Sequence, residues 1–274
     1  MRLSGRVVAI TGASAGIGRA TAERCAAEGA AVVLSARRAD RLDGIATTIA
    51  GRGGRALAVP GDVTSPADMT ALVDRAVDAF GRLDVMVCNA GIGYHGTIDE
   101  TPPDAMRRLV DVNLMGTLYA AHAAMRVFRR QQHGHIIAIS SIVGRRGVGG
   151  SSLYAATKAA QLAFIESLRA EFIGTPFRAS VVFPVVTVTD FHDTIARDFG
   201  HAVSGTGPRQ SAEQVAKTIA DCIVSPRAEV YPFPKAWWLA VLSVIAPAQA
   251  DKVVQKFGRR RTPIASAPDG RHSS

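Results

Sequence analysis

Cysteine is scarce. Cys25, Cys88 and Cys222 are the only three in 274 residues, odd in number and far apart. That excludes a disulfide framework and fits a reducing compartment. The seven histidines, at 95, 122, 133, 135, 192, 201 and 272, do not fall at ligand spacing with Cys, Asp or Glu, so no metal site is expected. His95 and His192 are within reach of a pocket, but surface or loop positions account for both. Long apolar runs are missing too: no window offers the ~20 apolar residues of a membrane-spanning helix. The first ten residues lead straight into a strand pattern, without the apolar core and cleavage site of a signal peptide. A cytoplasmic location is expected, with peripheral membrane association held open. Acidic residues are outnumbered 23 to 32, for a formal charge of +9. Residues 235–274 hold seven Lys or Arg against two Asp, but without interleaved aromatics for stacking bases, so nucleic acid is not an expected partner.

What is present is a core. Hydrophobic residues make up 47% and charged residues 20%, which excludes global disorder. Short apolar runs at 6–11, 31–35, 55–59, 85–88, 135–140, 178–183 and 229–231 alternate with helix-length amphipathic segments near 16–28, 39–50, 66–79, 103–131, 153–173 and 211–224. Alternation of this kind predicts a Rossmann-like, doubly wound α/β fold: a parallel sheet of about seven strands with helices on both faces. Val-Val-Ala-Ile and Val-Val-Leu are continuous rather than alternating, as strands buried on both faces are. The expected organisation is one domain over 1–232, an apolar and basic helical extension over 233–261, and a disordered tail over 262–274. Residues 186–210 lack a regular pattern and read as a mobile segment over a pocket.

After the first strand comes Thr-Gly-Ala-Ser-Ala-Gly-Ile-Gly at 11–18, where a helix opens. Glycine at 12, 16 and 18 permits a tight turn, close approach of a pyrophosphate to the backbone, and close helix–strand packing. The helix N-terminus then offers free N–H groups to phosphate. Between a strand and a helix at the chain start, this is a dinucleotide-binding signature, with Ser14, Ala15 and Ile17 completing the loop. The second strand ends in Ala36-Arg37-Arg38, where an acid would hold the ribose hydroxyls of NAD. Guanidinium groups suit a 2′-phosphate, so NADP(H) is preferred over NAD(H), with Arg37 favoured over Arg38. Asp62 of Gly61-Asp62-Val63 is placed to accept from the adenine amino group. A helix cap for Asp62 is the weaker account, because Ser65 is the closer N-cap candidate.

Tyr154 and Lys158 stand four apart in a stretch of good helix formers, and so on one helix face. A cation ~6 Å from a phenol, at an effective dielectric of ~20, contributes roughly 3 kcal/mol, or about two pKa units. That brings a tyrosine toward acid–base work near neutrality.

Together these pieces resemble the short-chain dehydrogenase/reductase family over roughly residues 3–232. The matches are the glycine loop at 11–18, Asp62-Val63, Cys-Asn-Ala-Gly at 88–91, Val-Asn-Leu at 112–114, Ser140-Ser141 and Tyr-Ala-Ala-Thr-Lys at 154–158, in the family's order and spacing. The resemblance implies a Tyr–Lys catalytic pair. Tyr154 is then the general acid in carbonyl reduction, and Lys158 lowers its pKa and holds the nicotinamide ribose. Ser141, thirteen residues before Tyr154, holds the substrate oxygen, while Ser140 points away. Asn113 positions a water on the proton path to Lys158. Asn89, Ala90 and Gly91 line the cofactor, Thr189 bonds the carboxamide, and Pro184 and Thr187 sit beside the nicotinamide. It also implies a small carbonyl or alcohol substrate and a homodimer or homotetramer.

Two positions depart from the family. Cys88 replaces the first Asn of Asn-Asn-Ala-Gly, and Val185 follows Pro184 where the family has glycine, putting the turn beside the nicotinamide in question. The run at 235–247, Lys-Ala-Trp-Trp-Leu-Ala-Val-Leu-Ser-Val-Ile-Ala-Pro, lies past the family's core. A lid or subunit contact, a membrane-surface anchor and an ordinary core helix all stay open for it. The expected function is an NADP(H)-dependent oxidoreductase acting on a hydrophobic ketone, aldehyde or secondary alcohol. The alternative is a non-catalytic NADP-sensing or scaffold protein on the same fold.

Overall fold

In the computed structural model the described residues are 1–189, 201–204, 207–255 and 260–263, with 201–204 and 260–263 described by backbone alone. Seven parallel strands form the central sheet: β1 (Val7–Thr11), β2 (Ala31–Ser35), β3 (Arg55–Ala58), β4 (Val85–Cys88), β5 (Gly134–Ile139), β6 (Phe177–Val182) and the short β10 (Glu229–Val230). Their order is β10-β6-β5-β4-β1-β2-β3. Each expected strand is present to within a residue at its ends. Sequence order reverses between β1 and β4, so the chain leaves these neighbours in opposite directions and opens a crevice at their carboxyl ends.

Two apolar layers enclose the sheet. On one face Val7, Ala9 and Met86 meet Leu72, Ala124, Phe128 and Ile165 from α3 (Pro66–Phe80), α5 (Gly116–Gln131) and α6 (Ser152–Glu171). On the other, Val8, Ile10 and Val32 meet Ala22, Leu42 and Ile219 from α1 (Gly16–Ala27), α2 (Ala39–Gly51) and α7 (Ala212–Val224). β1 is buried at all five residues, which is why it reads as an unbroken apolar run. Ser65 caps α3 by accepting from Asp68 N at 3.2 Å, with Pro66 at the first helical position.

The expected helix over 103–131 is one helical run in three parts: α4 (Pro103–Leu109), a π-helical stretch at Val110–Met115, and α5. The widened turn has a visible cause. The Asn113 carbonyl accepts from Gln161 Nε2 at 2.7 Å and Thr117 Oγ1 at 2.9 Å, both outside the regular backbone ladder.

The last third holds more structure than its sequence suggests. β7 (Val186–Val188) pairs in parallel with β9 (Arg209–Ser211), and β8 (His201–Ser204) pairs antiparallel with β11 (Arg260–Pro263). The patternless reading of 186–210 is corrected at those strands; residues 189, 207 and 208 have no regular structure, and 190–200 and 205–206 lie outside the described residues. Of the tail expected over 262–274, Thr262 and Pro263 finish β11, and 264–274 lie outside the described residues. After β10 come α8 (Ala236–Ile245) and α9 (Pro247–Gln255). Only Ala236 of α8 is buried, so this is not an ordinary core helix. No helix among the described residues is long and apolar enough to cross a membrane.

Candidate active site

The crevice between β1 and β4 opens into a cavity of about 340 Å³. Its wall takes in residues from the glycine loop, the end of β2, the segment after β4, the loop after β5, the start of α6 and the segment after β6. Of the expected site residues, all but two line it. Gly12, Ser14, Ala15, Gly16 and Ile17 come from the loop, and Arg37, Arg38, Asp62 and Val63 from the far end. Asn89, Ala90, Gly91, Ser141, Tyr154, Lys158, Pro184, Thr187 and Thr189 come from the centre and near side. Gly18 and Asn113 stand behind the wall.

Gly18 is there for packing. A Cβ on it would lie 2.3 Å from the Gly12 carbonyl oxygen and 2.6 Å from Asn89 Nδ2. Asn89 in turn locks β1 to β4: its Nδ2 donates to the carbonyls of Thr11 (2.9 Å) and Gly12 (3.2 Å), and Thr11 Oγ1 accepts from the N–H groups of Asn89 (3.0 Å) and Ala90 (3.1 Å). α1 begins after Ala15 with no side-chain cap and no acidic residue in its first turn. Its first N–H groups, unlike those of α3, have no side-chain acceptor from the cap, and the backbone at Gly12 and Gly16 has positive φ. These features fit a bound pyrophosphate.

At the β2 end, Arg38 Nη2 donates to Ser14 Oγ at 2.9 Å, tying Arg38 to the glycine loop; Arg37 is exposed. Asp62 Oδ1 accepts from Thr64 N and Thr64 Oγ1, both at 2.9 Å, and Asp62 N donates to Asp68 Oδ2 at 2.8 Å. The carboxylate therefore shapes its own turn as well as facing the cavity.

At the other end, α6 carries Tyr154 and Lys158 on one face, both buried. Lys158 Nζ lies 5.8 Å from the centroid of the Tyr154 ring, close to the separation the helix spacing predicts. The Nζ donates to the Ile139 carbonyl (2.8 Å) and to Gln161 Oε1 (3.1 Å). Burial pushes the Lys158 ammonium down to about 7. Ser140 and Ser141 follow β5. Ser140 Oγ donates to the Lys158 carbonyl at 2.7 Å and is thus committed to α6. Ser141 Oγ accepts a long bond from Val143 N at 3.4 Å.

Asn113 holds the segment after β4 in place. Its Oδ1 accepts from Ile92 N (2.8 Å), and its Nδ2 donates to the Ile92 carbonyl (2.9 Å) and to Thr157 Oγ1 (3.1 Å). A Cβ on Gly91 would sit 3.3 Å from Asn113 Oδ1 and 3.4 Å from Lys158 Nζ, so the space glycine leaves faces both groups.

The doubts over Val185 and Cys88 have structural answers. Among the described residues, positive φ outside glycine falls on Gln132, so Val185 adopts no left-handed backbone. The turn is held by Ile142 N donating to the Pro184 carbonyl (3.0 Å) and Thr187 Oγ1 donating to the Val185 carbonyl (3.0 Å). Thr189 packs over the glycine loop, its Cβ 3.1 Å from where a Cβ on Gly16 would be. Cys88 is buried, and burial pushes its thiol up to about 12, so it is inert. His95 is in the loop after β4, as one of the two readings had it, but buried there rather than at the surface, and it is not on the cavity wall. His192 lies outside the described residues.

Sequence reasoning missed Gln161. It is fully buried, and its amide links Lys158 Nζ, the Asn113 carbonyl and Thr117 Oγ1 (2.7 Å). The available signal was a polar residue three places beyond Lys158 and seven beyond Tyr154, on their helix face. Gln161→Leu leaves one acceptor fewer on Nζ and strips partners from Asn113 and Thr117, so about a tenfold loss in kcat/KM is expected, corresponding to one lost buried hydrogen bond of ~1.4 kcal/mol. Gln161→Glu places a carboxylate against Nζ, and the lysine titration should move upward, read as an alkaline shift in the pH–rate profile. Arg108, on the cavity wall, was also missed.

A glycine-lined crevice at the sheet's reversal point, ending on a Tyr–Lys pair, is the geometry of a dinucleotide-binding oxidoreductase. Residues 6–199 match the family model described as short chain dehydrogenase, and the chain belongs to that family. An uncharacterised oxidoreductase of Listeria monocytogenes is 37% identical over 197 residues, 71% of this chain and 79% of that protein. The ketoacyl reductase HetN of Nostoc is 29% identical over 259 residues, 93% of this chain and 90% of its own. Among solved structures, a short chain dehydrogenase from Burkholderia cenocepacia in complex with NADP superposes with a TM-score of 0.73 at 30% identity, covering 84% of this chain and 97% of that one. A short chain dehydrogenase/reductase from Burkholderia phymatum in complex with NAD reaches a TM-score of 0.82 at 23% identity, which speaks to the fold. The family uses NAD(P)(H), and the chain is an oxidoreductase of alcohol and carbonyl groups.

Proposed function

We propose that the protein is an NADP(H)-preferring reductase of ketones or aldehydes, or in reverse a dehydrogenase of secondary alcohols, with a hydrophobic small-molecule substrate. The observation that carries this reading is that Ser141, Tyr154 and Lys158 line the same cavity as the glycine loop and the arginine pair. HetN, a ketoacyl reductase similar along nearly the whole chain, supports it. The catalytic unit is taken as residues 1–232, working as a homodimer or homotetramer.

The glycine loop and the start of α1 would hold the pyrophosphate, Arg37 and Arg38 a 2′-phosphate, Asp62 with Val63 the adenine, and Asn89 to Gly91 with Pro184, Thr187 and Thr189 the nicotinamide side. When bound, the nicotinamide supplies or accepts the hydride at the carbonyl carbon. The chain's own residues manage the oxygen. Tyr154 donates its phenolic proton to it, and Ser141 donates a hydrogen bond that steadies the charge developing there. Lys158 favours the deprotonated phenol by its charge and returns the proton through the space beside Gly91 that faces Asn113.

The test is NADPH oxidation against a panel of apolar ketones and aldehydes. Turnover supports the reductase; tight NADPH binding with no turnover on any carbonyl or alcohol supports the sensor. The cofactor preference has its own check: Arg37→Asp should weaken NADPH binding by about 10- to 100-fold, from the loss of a charge-assisted contact of ~1.5–3 kcal/mol, and leave NADH binding nearly unchanged. Equal losses for both would remove the preference.

A further inference from the structure

α8 is the part of the molecule that neither the sheet nor the cavity explains. Its ten residues, Ala-Trp-Trp-Leu-Ala-Val-Leu-Ser-Val-Ile, carry no charge. Trp237, Trp238, Val244 and Ile245 are 45%, 66%, 81% and 76% exposed, and half-buried Val241 lies among them. At 3.6 residues per turn these five side chains fall within roughly 120° of arc, one continuous apolar face along the helix. The two tryptophan rings meet edge to face, 4.8 Å apart, at its N-terminal end.

The helix is braced. α9 follows after a single residue, and Arg146, from the loop that carries Ser141, donates to the Pro247 carbonyl at 2.8 Å and pairs with Asp251. Its neighbour Arg145 pairs with Glu229 of β10 and lies over the Phe183 ring, 4.8 Å from the centroid. An exposed apolar face is thus held on a framed support beside the cavity loop.

We propose that this face docks on an anionic lipid bilayer, lying in its surface layer. Charge and area decide between that and a second copy of the chain. Exposed Lys235 precedes the helix and exposed Lys252 follows it, within a segment from 235 onward holding seven cations against two anions. Two copies meeting through α8 would offer these lysines no opposite charge, whereas an anionic surface attracts them. A ten-residue helix is ~15 Å long and ~10 Å wide, so one face contributes on the order of 150–300 Å², short of the ~800 Å² per partner of a stable dimer. A bilayer sets no such minimum on a local patch, and tryptophan suits its interface because the ring is apolar and the N–H is wet. The docking itself does not depend on the reaction proposed above.

Trp237 and Trp238 are the only tryptophans in the chain, so intrinsic fluorescence reports this face alone. With vesicles of phosphatidylglycerol and phosphatidylcholine in equal parts, emission should shift to shorter wavelength, be quenched by acyl-brominated lipid, and the protein should sediment with the vesicles. Val244→Glu with Ile245→Glu should weaken partition on the order of 100-fold, since each loses apolar burial and faces an anionic surface with an added anion. An unchanged thermal melt checks that this variant folds, and quenching of the wild type needs no variant. Three results would overturn the proposal: no shift with anionic vesicles, equal binding to pure phosphatidylcholine, or a shift that rises with protein concentration alone while sedimentation velocity shows doubled mass. The last would identify a second copy as the occupant.

Discussion

Tyr154→Phe is expected to lower kcat/KM for carbonyl reduction by about 10³-fold or more while NADPH binding stays within a few-fold of wild type. The substitution removes one oxygen and keeps the ring, which packs with Ile92, Leu109 and Val143 in a small apolar cluster at the cavity wall. A lost general acid costs ~10²–10⁴ in rate, and the neighbouring groups are poor replacements. Ser140 is bonded to the α6 backbone, Ser141 carries a hydroxyl far less acidic than a phenol, and Lys158 holds two of its three protons in bonds to Ile139 and Gln161. Initial rates with a responsive ketone, paired with NADPH titrations followed by fluorescence, separate the two effects. Comparable turnover in both proteins would end the assignment of Tyr154 as acid.

The sheet was legible because its strands are buried on both faces and so read as apolar runs between helices. The glycine loop was legible because its constraint is local: Gly12 and Gly16 need positive φ, and Gly18 meets a carbonyl six residues away. What stayed hidden depends on distant partners. The π-helical turn at 110–115 follows from Gln161 reaching the Asn113 carbonyl across 48 residues. β7, β8, β9 and β11 are three or four residues long and pair outside the main sheet, too short for a periodicity to register. Arg37 and Arg38 could be placed at the end of β2 from sequence, but that Arg38 reaches Ser14 needed coordinates. For the C-terminal run, composition supplied an apolar helix and not its surroundings; only the solvent exposure of its tryptophans separates an unpartnered face from a core element.

Lys158→Met is expected to lower kcat/KM by about 100-fold or more, matching the ~3 kcal/mol a cation contributes to a phenolate roughly 6 Å away. It should also change how stability depends on pH, and here the sign is the test. The lysine is pushed down to about 7 in the folded protein by burial, against about 10.4 in an unfolded chain. Below pH 7 both states hold the proton and this residue contributes no slope. Between pH 7 and about 10.4 the unfolded state holds more protons than the folded one, so raising the pH favours folding, by at most about 1.4 kcal/mol per pH unit. Wild type should therefore gain stability relative to Lys158→Met as pH rises from 7 to 9, by roughly 3 kcal/mol at most, measured as the difference between denaturant midpoints at each pH. A difference that is flat over that range would mean the ammonium keeps its proton when buried. The two bonds to Ile139 and Gln161 would then outweigh desolvation, and the field acting on Tyr154 would persist into alkaline solution.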